Sequence, residues 1–139
     1  MGLMEVIIID MDTDLQRAIT DAGTPNDERK VVRFYILDNL RGKYITSDGR
    51  CVVISSKTAD KYTNKANKIK LRAGQHLDTM LLRSKLINIV DVVHDSFEKF
   101  AYYETCFEID GEKYVGMLNV GITSENESIL YDLKPFKEY

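Results

Sequence analysis

The dipeptide Asp110-Gly111, set between two runs of alternating aromatic and aliphatic residues, limits the possible folds of this chain more than any other feature. Aspartate followed by glycine accepts left-handed backbone at both positions of a two-residue turn, and that turn has the twist that antiparallel strands require. Ile109 then faces Glu112, and Phe107 faces Tyr114. Because side chains alternate along a strand, one face collects Ala101, Tyr103, Thr105 and Phe107 against Tyr114, Gly116, Leu118 and Val120. This is a core face. The other face pairs Tyr102 with Asn119, Glu104 with Met117, Cys106 with Val115, and Glu108 with Lys113. The last pair sets opposite charges across the strands and favours this register. A third strand is expected from Ile129 to Leu133, ending at Pro135.

Upstream, Glu5–Ile9 reads as a short strand and Thr13–Asp21 as a short helix. Thr24-Pro25-Asn26-Asp27 is a helix start: a hydroxyl to cap, a proline where no N–H is needed, and acids at the positive end of the dipole. Val32, Tyr35, Ile36 and Leu40 then fall on one helical face, and Gly42 follows as a stop. A small hairpin is predicted from Lys43–Thr46 and Arg50–Ile54 around Ser47-Asp48-Gly49. A basic helix over 57–67, capped by Ser55 or Ser56, and a helix from Leu71 to Leu82 with Leu77, Met80 and Leu81 inward complete the middle. Leu86–Val93 alternates poorly and fits strand or helix. The expected fold class is α+β, with N-terminal helices and a small hairpin packed on a C-terminal antiparallel sheet. At 139 residues one domain, 1–139, is expected.

Charge is uneven along the chain. Residues 1–28 hold seven acids and one base, and 57–72 hold six bases against Asp60 alone. From 91 onward there are eleven acids and four bases, and the net charge is −3. Such a balance excludes a general nucleic-acid sponge, while Lys61, Lys65, Lys68, Lys70 and Arg72 are candidates for local phosphate binding. A solvated helix face is the plainer reading of that segment. Cys51 and Cys106 are too few and too far apart for a disulfide scaffold or a metal set, and are read as reduced core thiols of a cytoplasmic protein. No apolar run approaches the roughly 20 residues of a membrane span, so no membrane partner is expected. The start lacks a signal peptide's pattern; Gly2 is followed by Val6 where myristoylation favours Ser or Thr, and Met4 is an alternative start. No metal or cofactor motif is visible.

A set of segments carries a family likeness: Leu40-Arg41-Gly42-Lys43, the Ser47-Asp48-Gly49 turn, Val52-Val53-Ile54-Ser55, and then Phe100-Ala101-Tyr102-Tyr103. It continues with Ile109-Asp110-Gly111-Glu112-Lys113-Tyr114, Leu118-Asn119-Val120-Gly121 and Leu130-Tyr131-Asp132. In this order they resemble the large polyvalent-protein-associated domains of phages and conjugative elements. They also resemble phage nuclease-like domains of the barnase–EndoU–colicin–RelE superfamily. The likeness spans residues 36–138 and leaves 1–35 as a variable N-terminal extension. It implies a mobile-element protein with helices on one sheet face and, in nuclease members, a metal-independent RNA-cleaving site on the other.

Such cleavage needs a base, an acid and a cation for the charged phosphorane. On the non-core face Glu104 is the candidate base, Tyr102 the donor and Asn119 a neutral hydrogen-bonding group, with His94 upstream able to titrate and His76 able to reach from its helix. The cation is the weak point, since Lys113 already faces Glu108. With no full set, binding or inhibition of a host macromolecule, protein or RNA, ranks first, and a counter-defence inhibitor of a CRISPR nuclease is one case. Ribonuclease activity is the alternative. A third reading takes Ile7-Ile8-Ile9-Asp10-Met11-Asp12 as the opening of a haloacid-dehalogenase-type, magnesium-dependent phosphatase, with Asp91 and Asp95 as its later acids. The sequence leaves the partner and the oligomeric state open.

Overall fold

A computed structural model describes residues 5–137. Its centre is the predicted hairpin: β5 (Lys99–Ile109) and β6 (Glu112–Ile122) pair in the expected register, Glu108 opposite Lys113 included. Asp110 and Gly111 take φ of 50° and 80°, the left-handed pair that this turn demands. All eight residues assigned to the core face are buried. β7 (Ser128–Lys137) lies antiparallel on β6. It does not stop at Pro135 as expected but carries that residue opposite Gly116. Beyond its first two residues β7 has no strand on its other side among the described residues, so a missing N–H there breaks no ladder.

The sheet is α+β in class but mixed rather than antiparallel. β1 (Val6–Ile8) runs parallel to β5 at Cys106–Glu108, while β4 (Lys85–Asp91) takes the rest of that edge in antiparallel sense. The small hairpin, β2 (Gly42–Ile45) and β3 (Cys51–Ile54), does not pack on the sheet. It joins it, because Val52 and Val53 pair in parallel with Ser128 and Ile129. The order is β1-β5-β6-β7-β3-β2, with β4 also on β5.

The helices are not confined to the N-terminal part. α1 (Asp14–Asp21) is capped by Thr13, and α2 (Pro25–Tyr35) by Thr24, whose hydroxyl accepts from the Asp27 N–H at 3.2 Å. A π-helical turn, Ile36–Leu40, extends α2 and buries Ile36 and Leu40. Between β3 and β4 come α3 (Ser56–Thr63), α4 (Lys68–Ala73) and α5 (Leu77–Arg83). The single basic helix expected over 57–67 ends at Thr63. Lys65 turns with φ of 58°, and Asn67 caps a new helix. The next helix is likewise broken by a 3-10 turn, Gly74–His76. Leu77, Met80 and Leu81 point inward as predicted.

Ile7, Ile9, Leu15 and Ile19 from the first residues join Val32, Leu77, Tyr103, Leu118 and Leu130 in one apolar core. Tyr103 reaches through it to the β2–β3 turn, where its hydroxyl donates to Asp48 Oδ1 at 3.0 Å. Burial pushes the Asp48 carboxyl up, but donors from Thr46, Tyr103 and its own backbone, with Arg50 nearby, outweigh that and hold it below its ordinary value. The cysteines are not core residues as expected: Cys51 is exposed and Cys106 half-buried, because both alternate away from the inward face of their strands.

The phosphatase reading fails on this geometry. It needs repeated parallel crossovers, whereas among the described residues the parallel pairs are two short ones at β1 and β3. Asp10 follows an edge strand beside the end of β5, and Asp91 pairs with Lys99 at its start, roughly 30 Å away along the strand. Asp12 and Asp14 both engage Arg17. No helix among the described residues is long and apolar enough to cross a membrane.

Candidate functional site

The inner face of the central strands is closed by helices, so chemistry accessible to a ligand lies on the outer face. Along β5 that face carries Phe100, Tyr102 and Glu104, and along β6 it carries Met117, Asn119 and Gly121. The connection from β4 to β5 folds over one end of it. Its neck is closed by Val92 N–H donating to the Glu98 carbonyl at 3.0 Å and Glu98 N–H donating to the Ile122 carbonyl at 2.9 Å. At its tip the Ser96 N–H donates to His94 Nδ1 at 3.0 Å, which leaves Nε2 as the proton-bearing nitrogen of the neutral ring.

Phe97 from this loop lies flat against Gly121, where a Cβ would sit 2.5 Å from its ring. Glycine is required there for close approach. Around Phe97 gather His94, Phe100 and Tyr131, with ring centroids 5.2–5.7 Å apart. Tyr131 arrives through a β-bulge: Asn119 pairs with Asp132 and Val120 with Leu130, so Tyr131 is the extra residue. The same irregularity turns Asp132 toward the helices. Its carboxylate meets Lys70 Nζ at 2.5 Å and Lys61 Nζ at 4.0 Å. Lys61 Nζ also stands 5.2 Å from the centroid of the Tyr131 ring, within cation–π range.

The result is a pocket of about 260 Å³ between α3, the loop and β7, lined by Lys57, Lys61, His94, Phe97 and Tyr131 among others. Aromatic rings form one wall and two ammonium groups the rim. It offers aromatic surface for a planar group and, against the one carboxylate of Asp60, two ammonium groups for an anion, with the His94 imidazole beside them.

The structure divides the residues expected at a site. His94 and Lys61 meet in this pocket. Tyr102 stands at its margin, its ring 6.3 Å from Phe100. Glu104 lies on the outer face as predicted, but four residues along β5 from Phe100, or roughly 13 Å, so it and His94 do not share a site. The nearest basic residue in the sheet ladder is Lys85, directly across from Glu104 on β4. Asn119 is only 8% exposed, and its Oδ1 has no hydrogen-bond partner among the described residues. Lys68 pairs with Glu28 at 2.9 Å, Lys70 is held between Asp132 and the Tyr62 ring, and Arg72 donates to Gln16 Oε1 at 2.8 Å. These three therefore brace helices, while Lys65 remains exposed beside α2. His76 is on the helical side, near Asp78 and Asp10; burial holds its pKa below the ordinary value, partly offset by those two carboxylates.

Sequence reasoning missed Phe97, Phe100 and Tyr131, as well as the part played by Lys57. The spacing Phe97-x-x-Phe100 ahead of a strand was a visible signal; the bulge that brings Tyr131 beside it was not. No curated protein and no solved structure matches the chain. The family model for Large polyvalent protein-associated domain 3 matches residues 23–131, which takes in α2 as well as the segments that carry the likeness. The chain therefore belongs to the Large polyvalent protein-associated domain 3 family, among the polyvalent-protein-associated domains of mobile elements.

Proposed function

We propose that this domain binds a host macromolecule, and that the macromolecule is single-stranded RNA held on the outer face by the pocket of His94, Phe97 and Tyr131. One observation carries the reading: Lys61 stands over the Tyr131 ring on the rim of an aromatic pocket, so base-stacking surface and phosphate-binding charge occur together. Single strands are recognised by that combination, with each base worth roughly 1–3 kcal/mol of stacking. The pocket is open at the surface and His94 is exposed in it, while the half-buried Tyr131 ring already stacks on Phe100 and has Lys61 over it.

Cleavage is the second reading, favoured by the same group of side chains. His94 as base, Lys61 as cation and the Tyr131 hydroxyl as donor would supply the roles that Glu104 and Tyr102 were expected to fill. Fluorescence anisotropy with a labelled oligouridylate, followed by a gel of the same samples, tests both. Binding by the wild type, weakened at least tenfold by Tyr131→Ala and unchanged by Glu104→Ala, is expected. Absence of binding overturns the proposal, and strand scission lost in His94→Ala promotes the second reading over the first.

A further inference from the structure

We infer that the cleft between α2 and α3 is a phosphate track that continues the aromatic pocket and sets the path of the bound strand. This deepens the proposed function and rests on it. From α2 the cleft receives Arg29, Lys30 and Arg33, spaced at i, i+1 and i+4 so that all three project to one side of the helix. From the end of α3 it receives Lys61 and Lys65. Five cations thus face a space of about 690 Å³ against the single carboxylate of Asp60. That carboxylate accepts from Arg33 Nε at 2.6 Å and is already partly neutralised.

Two features separate this from an ordinary solvated helix face. Arg29 is fixed in place, its Nε donating to the Ala66 carbonyl and its Nη1 to Asn26 Oδ1, both at 3.1 Å. Its charge is therefore presented without the ordering cost of a free side chain. Lys65 adopts φ of 58°, a left-handed conformation that disfavours side chains, and from there lines the cleft.

Continuity is the decisive point. Asp60 and Lys61 line both the cleft and the aromatic pocket, so a strand with a base against Tyr131 has Lys61 on its next phosphate and the cleft beyond. The cationic stretch of α2 from Arg29 to Arg33 is about 6 Å long, enough for about two phosphates of a stacked strand. A polyphosphate chain fits such a row of separated charges, and the stacking wall at one end favours a nucleic acid over an acidic peptide.

The test compares a labelled oligouridylate with a uridine dinucleotide, using wild-type protein and the triple variant Lys30→Gln, Arg33→Gln, Lys65→Gln. Lys30 and Lys65 are exposed and Arg33 is half-exposed against Asp60, and a thermal melt confirms that the variant is folded. Affinity for the long strand should fall at least tenfold in the variant, and the slope of log K against log salt should flatten by about 2. Dinucleotide binding should stay within about twofold. Equal long-strand affinity and slope in the two proteins overturns the track while leaving the pocket in place. No strand binding by the wild type overturns both. An oligoglutamate that competes as well as RNA, and loses that ability in the variant, overturns the assignment to nucleic acid.

Discussion

The two faces of β5 and β6 are made of the same strands yet follow different rules. The inner face is filled by Ala101, Tyr103, Phe107, Leu118 and Val120 under a layer of helices, and every one of these is fully buried. Among the described residues the outer face has no such layer. Its aromatic group is assembled from a loop, a glycine that allows close approach, and a bulge in the neighbouring strand. Burial dictates residue choice on the first face, whereas on the second the backbone irregularities create the pocket. The inner face should therefore govern stability and the outer face binding.

The largest expected effect is on the inner face. Leu118→Ala removes a fully buried side chain from the centre of the core and should cost about 3–4 kcal/mol in chemical denaturation, without altering the RNA affinity of the folded fraction. A matching loss of affinity would break the separation of roles. Gly121→Ala should come next, because its new Cβ collides with the Phe97 ring. Pushing that ring aside should destabilise by about 1–3 kcal/mol and also weaken RNA binding, since the pocket wall moves. Wild-type values for both would show that the loop is not seated on the strand. Glu104→Gln, on the outer face but outside the pocket, should change stability by less than about 0.5 kcal/mol.

The smallest effect concerns the helical side and pH. Burial lowers the pKa of His76, so the unfolded chain takes up its proton at higher pH than the folded one. Its contribution is complete above the ordinary imidazole value of 6.5 and is lost as pH falls through the lower folded value. The melting midpoint of the wild type should drop more between about pH 7 and about pH 5 than that of His76→Gln. An identical drop in both proteins would remove His76 from the account.

Much of the inner face was legible because it obeys local rules. Asp110-Gly111 set the register of two eleven-residue strands, and the Thr24-Pro25 start located α2 within a residue. β4 was ambiguous for a physical reason: it is an edge strand exposed at most positions, so no covering layer imposes alternation on it. The parallel joins of β1 and β3 link residues far apart in the chain and leave no local trace. At the site, His94 and Lys61 lie together beside the outer face, whereas Glu104, grouped with His94 from the sequence, is kept apart from it by the strand's own length. The cations of α2 went unnoticed because the apolar stripe of Val32, Ile36 and Leu40 explained that helix, and its polar face acquires a partner only when α3 folds beside it.

Mapping amide chemical shifts during titration with an oligouridylate tests the central claim most directly. The account predicts that the perturbed amides cluster at residues 57–65, 94–97 and 129–131, with the strands beneath the helices unmoved. Perturbations confined to the neighbourhood of Lys85, Glu104 and Lys113, or a spectrum unchanged by a large excess of RNA, would contradict it.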